Sequence, residues 1–324
     1  MSLDRIRLAS LHDKVMSAEQ AATFIQDGMT VGMSGFTRAG EAKAVPLALV
    51  KQAKENPLKI TLITGASLGN DLDKQLTEAG VLARRLPFQV DNTLRKAINK
   101  GEVMFIDQHL SETVEQMRNK QLKKPDIAVI EAVAITEDGG IIPTTSVGNS
   151  ASFAIFAEKV IVEINTNLSP AFEGLHDIYI PSYRPTRQPI PLTEVDERIG
   201  TQAINIDPSK IVGIVINSEF HDSPSTVTEP DDETQGIANH LIAFFEKEVA
   251  EDRLPKNLGP LQAGIGSIAN AVLTGLKDSK FEDLVMYSEV LQDCTFELID
   301  AGKMKFASGS SITLSAKYGE KVFN

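Results

Sequence analysis

A single cysteine, Cys294, stands in a chain of 324 residues, which excludes an intrachain disulfide and a cysteine-rich metal site. Just after an apolar strand pattern, it reads as a small packing residue rather than a catalytic thiol. Tryptophan is absent and aromatic residues make up 6% of the chain, too few to build platforms for stacked bases. Basic residues are also in deficit: 32 lysines and arginines face 44 acidic side chains, for a formal charge of −12. That balance excludes a general nucleic-acid surface, which needs a basic face, but leaves room for an anionic ligand held locally. The pairs Arg84-Arg85 and Lys123-Lys124 are short, and a solvated face is expected for both. No apolar run reaches bilayer length, so no membrane partner is expected. Met1-Ser-Leu-Asp-Arg-Ile-Arg lacks the apolar core of a signal peptide, which points to a cytoplasmic product. Low-complexity tracts are missing too, as suits folded domains rather than a scaffold with tails.

What is present has the grammar of an α/β protein. The hydrophobic content is 42%, and the length suits two domains better than one core. A helical pattern over Ser17 to Gln26 precedes a short buried strand, Gly28-Met-Thr-Val-Gly-Met-Ser. The loop Gly35-Phe-Thr-Arg-Ala-Gly40 then leads to a helix over Leu47 to Lys54 and to the strand Lys59-Ile-Thr-Leu-Ile-Thr, which delivers Ser67 to a loop. Such a β-loop-α-β unit implies parallel pairing. Val103-Met-Phe-Ile-Asp, Ile127-Ala-Val-Ile-Glu-Ala-Val and Lys159-Val-Ile-Val-Glu-Ile read as further central strands. Glu137-Asp-Gly-Gly suits a hairpin-like turn, so a mixed sheet is expected. Five prolines from Pro170 to Pro191 mark a long irregular excursion. Ile211 to Ile216 closes the first domain, and residues 217–235 form a polar connection. Its acidic run, Glu229-Pro-Asp-Asp-Glu, fits no calcium-loop spacing and reads as the start of a core helix over Gly236 to Val249; no metal site is expected.

The chemistry is densest between Leu258 and Asp293. Gly264-Ile265-Gly266 opens an apolar helical pattern, and a second apolar run ends on the carboxylate of Glu289. A glycine turn of this kind lets backbone N–H groups approach a polarised oxygen, and the helix start adds its own unpaired donors and positive dipole end. Two chemistries fit. Gly264, Gly266 and Ala269 match the G-x-G-x-x-A dinucleotide fingerprint, with an acidic residue about twenty positions on for a ribose. That fingerprint should follow a strand, whereas Leu254-Pro-Lys-Asn-Leu-Gly-Pro is rich in breakers, and it gives Asn270 no task. In the other chemistry Glu289 attacks an acyl carbonyl, and the N–H of Ile265 or Gly266 holds the oxyanion.

The strings Gly264-Ile-Gly-Ser-Ile-Ala-Asn-Ala-Val, Tyr287-Ser-Glu-Val-Leu-Gln-Asp and Phe306-Ala-Ser-Gly-Ser-Ser resemble the acetyl-CoA hydrolase/transferase family, the branch of CoA-transferases that contains succinyl-CoA:acetate CoA-transferases. Phe172-Glu-Gly-Leu-His176-Asp177-Ile-Tyr and Arg187-Gln-Pro-Ile-Pro resemble a further segment of it. The motifs fall in family order along nearly the whole chain. The resemblance implies an α/β fold of two related CoA-transferase-type domains with mixed, largely parallel sheets and flanking helices: residues 1–216, then the connection 217–235, then 236–324. It also implies that Glu289 is the nucleophile and that the turn at Gly264, Ile265 and Gly266 supplies an oxyanion donor and CoA contacts. Ala269 and Asn270 belong to the same CoA-binding set, and Ser67, at the matching place in the first unit, joins them as a candidate. For His176 the expectation is a loop histidine satisfying local hydrogen bonds, since the family mechanism needs none.

The implied reaction is a ping-pong exchange without a tightly bound cofactor; coenzyme A enters as a substrate. Partners would be an acyl-CoA (acetyl-, succinyl- or propionyl-CoA), a small carboxylate and a second copy of the chain in a homodimer. The same residues give an acetyl-CoA hydrolase if water reaches the covalent intermediate. Family members continue for well over a hundred residues more, with a second glycine-rich loop. By that standard the second domain is expected to be incomplete, with exposed edges, which keeps a third expectation open: an inactive fragment retaining partial CoA binding.

Overall fold

The computed structural model describes residues 3–225 and 231–323, which form two compact units: residues 1–190 with 199–223, and residues 191–198 with 224–324. Glu229 and Pro230 of the acidic run lie outside the described residues.

The first unit is built on one sheet. Its strands are β1 (Thr30–Met33), β2 (Ile60–Ile63), β3 (Leu82–Leu86), β4 (Met104–Phe105), β5 (Ile127–Ile135), β6 (Ile141–Pro143), β7 (Lys159–Asn165) and β8 (Ile211–Asn217). They run β4-β3-β2-β1-β5-β7-β8, all parallel, with β6 antiparallel to β5. Parallel neighbours need crossovers, and α1 (Ala18–Ala22), α2 (Ala44–Glu55), α3 (Leu72–Glu78), α4 (Asn92–Asn99), α5 (Leu110–Arg118) and α6 (Ser150–Phe156) flank the sheet. Because successive strand residues point to opposite faces, Val31, Met33, Ile60 and Leu62 pack with α1 and α2. Ile63, Ala128, Ile130 and Val162 pack with Phe153 of α6 on the other face. The expected helix at Ser17 is only one turn and a half, opened by a capping box between Ser17 and Gln20. From β1 the chain builds outward through β2 to β4 on one side and through β5, β7 and β8 on the other. Ligands of open α/β sheets bind where strand order reverses, outside the carboxyl ends of the strands. Here that place is the loop after β1, residues 34–41.

In the second unit α7 (Asp232–Ala250) leads to β9 (Pro260–Leu261), α8 (Ser267–Lys277), β10 (Leu284–Tyr287), β11 (Val290–Leu291), α9 (Asp293–Asp300), β12 (Met304–Ser308), β13 (Ser311–Ile312) and α10 (Ala316–Phe323). A parallel sheet runs β12-β10-β9, and β11 pairs with β13. Its core gathers Leu273 and Leu276 of α8, Leu284 and Met286 of β10, Leu298 of α9, and Cys294. Asp231 caps α7 through a reciprocal bond with Thr234, and Asp232 and Glu233 sit in its first turn, where carboxylates suit the dipole. The expected core helix does pack on the core of this unit, through Ile242, Phe245 and Val249, but its face is only partly covered. Thr234 and Ala238 are the buried residues of α7, Ile237, Leu241, Phe245 and Val249 are half-buried, and Phe244 is exposed.

Candidate active site

The two-residue strand β9 is enough to aim the glycine turn, despite the breakers before it. Val285 and Met286 pair with Pro260 and Leu261, so β9 and β10 end side by side, one running into Gly264-Ile265-Gly266 and the other into Glu289. Ser288, just before Glu289, and Gln292, three residues after it, hold the turn there. The Ser288 hydroxyl donates to Ala263 O at 3.0 Å and accepts from Ala263 N at 3.4 Å, and Gln292 Nε2 donates to Gly264 O at 3.3 Å. The third motif closes on the same segment: Ser288 N donates to Ser308 O at 2.9 Å, and Ser310 N donates to Glu289 O at 2.8 Å.

Gly266 is the N-cap of α8 at φ 124°, ψ 174°, a conformation essentially reserved for glycine. Neither the Ile265 N–H nor the Gly266 N–H meets an acceptor among the described residues. Both residues are exposed, as is Glu289. Ala269 and Asn270 lie in the first turn of α8, where Asn270 N donates to Gly266 O, and the Asn270 amide oxygen accepts from the Cys294 thiol at 3.6 Å. Burial raises the Cys294 thiol to about 11, so at neutral pH it is not a thiolate nucleophile.

Ser67 lies elsewhere, in the loop after β2 of the first unit, and is buried, with its carbonyl accepting from Arg38 N at 3.1 Å. Its loop is fixed from below by Arg85, whose guanidinium donates to Thr64 Oγ1 at 2.8 Å, to Ala66 O at 3.3 Å, to Leu86 O, and to Asp73 Oδ1 at 2.8 Å. The expectation of a solvated face fails for Arg85, which is fully buried. β3 turns it inward, beside the half-buried Arg84. Lys123 and Lys124 are exposed as expected. His176 Nε2 lies 2.9 Å from Thr144 O, a hydrogen bond to a segment 32 residues away in sequence rather than a local one.

A second cluster went unread in the sequence. Beneath the loop after β1, the fully buried Lys43 sets its ammonium 2.6 Å from Glu131 Oε1, 2.7 Å from Asp222 Oδ1 and 2.7 Å from Glu41 O. Glu131 also accepts from Thr144 Oγ1 and Asn165 Nδ2. Glu163, its register partner on β7, accepts from the N–H groups of Lys43, Ala44 and Val45 at the start of α2. Burial opposes charge on Lys43, but Asp222, Glu131 and Glu41 together hold it well above the usual lysine range. A signal existed: Glu131 and Glu163 each interrupt an otherwise apolar strand, and carboxylates there must be paired.

The family profile of the acetyl-CoA hydrolase/transferase N-terminal domain matches residues 2–216, well over half of the chain. The chain belongs to this family. It is 46% identical over 313 residues to the succinyl-CoA:acetate CoA-transferase of Clostridium kluyveri, a match covering 96% of the chain and 58% of that protein. Against the acetyl-CoA hydrolase of Kluyveromyces lactis, identity is 42% over 332 residues, covering 99% of the chain and 63% of that protein. The chain thus spans about three fifths of the length of these relatives. Among solved structures, RipA from Yersinia pestis shares the fold at a TM-score of 0.69 and 18% identity, over 97% of this chain and 67% of that one. The largely parallel α/β architecture expected of the family is the one observed. Among the described residues there is no cluster of metal-ligating side chains, and no helix is long and apolar enough to cross a membrane.

Proposed function

We propose that this family member moves CoA between an acyl-CoA and a small carboxylate, with Glu289 as the nucleophile. The observation that carries this reading is the exposed Glu289 carboxylate at the end of β10, beside a turn whose Ile265 and Gly266 N–H groups have no acceptor among the described residues. A Glu289 oxygen attacks the thioester carbonyl, and collapse of the tetrahedral intermediate breaks the C–S bond to give an acyl-glutamyl anhydride and CoA thiolate. The thiolate then attacks the glutamyl carbonyl, the acyl group leaves as its carboxylate, and a glutamyl-CoA thioester remains. An acceptor carboxylate reverses both steps. Each intermediate carries an oxyanion, for which a well-aimed N–H is worth about 100- to 1,000-fold in rate.

Gly264, Ala269, Asn270 and Ser67 are proposed as CoA contacts, and acetyl-, succinyl- or propionyl-CoA as the donors. We further propose a homodimer acting in the cytoplasm in acetate metabolism, with no tightly bound cofactor; light scattering of the purified protein tests the dimer. Hydrolysis is the second reading, favoured by the exposure of Glu289, which leaves the intermediate open to water.

Intact-protein mass after brief incubation with acetyl-CoA, followed by peptide mapping, tests both. A CoA-sized adduct on Glu289 that acetate removes supports transfer. An adduct lost equally fast without acetate supports hydrolysis, and folded protein that forms no adduct overturns the assignment.

A further inference from the structure

Glu41 ends the loop after β1, and none of its side chain reaches solvent. One carboxyl oxygen, Oε1, accepts from Asn70 Nδ2 at 2.8 Å, across from the loop after β2 that carries Ser67. The other, Oε2, is buried without a hydrogen-bond partner. Lys43 is two residues away, but its ammonium donates to Glu131 and to the Glu41 carbonyl and pairs with Asp222 at 2.7 Å. Glu163 is served by backbone N–H groups and Glu131 by three side-chain donors, whereas the Glu41 carboxyl has one donor, Asn70.

Both loops close tightly on this side chain. A Cβ added at Gly69 would lie 2.3 Å from Glu41 Oε1, and one added at Gly35 would lie 2.8 Å from Glu41 Cβ. Asn70 is itself held by Ser223, whose hydroxyl accepts from Asn70 N at 3.0 Å, and Asp222 accepts from Gly40 N at 3.2 Å. Thr37, Arg38, Asn70 and Asp71 all adopt positive φ, so each loop holds a sparsely populated conformation that its surroundings must sustain.

We propose that Glu41 is a positioning residue that locks the loops at 35–40 and 65–70 together, and that the lock holds while its carboxyl is neutral and releases when it ionises. The release has a physical cause. An ionised Glu41 needs donors for Oε2, the closed loops offer none, and the route to water is separation of the loops between which it lies. Burial, opposed by Lys43 and reinforced by Asp222, raises this carboxyl to about 7. The charged groups around it are Arg38 and Lys43 on its own segment, Asp71 beyond Asn70, Asp222 after β8, Glu131 on β5 and, through Glu131, Glu163 on β7. Burial raises Glu131 as well, to about 8. Glu131 nevertheless has three donors against one for Glu41, and the exchangeable proton is assigned to Glu41 on that count.

The inference touches the proposed reaction at one point, the assignment of Ser67 as a CoA contact, and its test does not use activity. Amide hydrogen exchange of peptides spanning 35–41 and 65–71 is measured from pH 5 to 8 and corrected for intrinsic chemistry. Loop opening linked to loss of one proton rises by up to about tenfold per pH unit below pH 7 and levels off above it. In Glu41→Gln, which keeps the shape and the Asn70 contact, opening should be low and independent of pH. Corrected exchange that is flat with pH in the wild-type protein overturns the proposal, and needs no variant to fold. A slope that survives Glu41→Gln but vanishes in Glu131→Gln overturns it as well. CoA affinity measured by calorimetry over the same range reads the Ser67 assignment separately: an affinity indifferent to the opening counts against Ser67, not against the lock.

Discussion

Glu289 and Arg85 mark opposite ends of what a single charged residue does in this chain. Glu289 is exposed, and its backbone, not its carboxylate, is fastened to the neighbouring strand ends. Its side chain is therefore replaceable without harm to the fold. Glu289→Ala is expected to melt like the wild-type protein and to form no CoA adduct by mass spectrometry. Glu289→Asp, which withdraws the nucleophile by one methylene, should form the adduct at least about tenfold more slowly, since misplacement by an ångström costs on the order of 100-fold. Arg85 is the reverse case, an arginine with no access to solvent whose charge is met by Asp73 through two bonds of 2.8 and 3.2 Å. Removing one partner of a buried pair leaves an uncompensated charge, so Asp73→Asn should lower stability by about 3–5 kcal/mol, read as a shift of the urea midpoint. A midpoint within experimental error of wild type would show that the carbonyls of Ala66 and Leu86 are partners enough.

At the scale of elements, the glycine turn before α8 separates backbone need from ligand need. Gly266 sits at φ 124°, while Gly264 has no positive φ, and a Cβ at either position meets nothing within 4 Å. Gly266→Ala is thus expected to lose about 1–3 kcal/mol through backbone conformation alone. Gly264→Ala should fold normally, so any loss of CoA binding in it reports a ligand that passes close to the backbone. Calorimetry of the two variants with and without CoA separates the effects. Such a turn was legible because glycine spacing, an apolar helical period and a carboxylate share one short stretch. The central strands were legible for a similar reason, as β-branched runs buried on both faces. Illegible were features that depend on partners far apart in sequence. Lys43 and Asp222 are brought together by β1 and β8, and Arg85 turns inward because Asp73 and the loop after β2 await it. The exposure of Phe244 on α7 is of the same kind: a helical period shows which residues share a face, not how much of that face is covered.

For the whole molecule, two sources of pH dependence act in the same direction and can be told apart. With a sequence pI near 5.0 and a formal charge of −12 at pH 7, self-repulsion grows as pH rises from 5 to 8. Over the same range the buried carboxyls act too. Glu41 and Glu131 are raised above the ordinary glutamate value of 4.5, to about 7 and about 8, chiefly by burial. A raised acid binds its proton more tightly when folded, so its stabilisation is fully present below pH 4.5 and is lost as pH climbs through the folded value, at up to about 1.4 kcal/mol per pH unit for each proton. Glu173, lowered by its bond to Arg7, has the opposite sign and destabilises as pH falls through its own depressed value. The protein is therefore expected to be most stable near pH 4.5 to 5 and to lose stability as pH rises toward 8, as read by urea titration. Salt separates the causes: at 1 M the Debye length is about 3 Å, which screens the surface charges but not the carboxyls under the loops. If the slope survives in 1 M salt and flattens below pH 7 in Glu41→Gln, its origin is the buried cluster. If salt alone removes it, the acidic surface is the whole cause, and Glu41 and Glu131 titrate alike in the folded and unfolded chain.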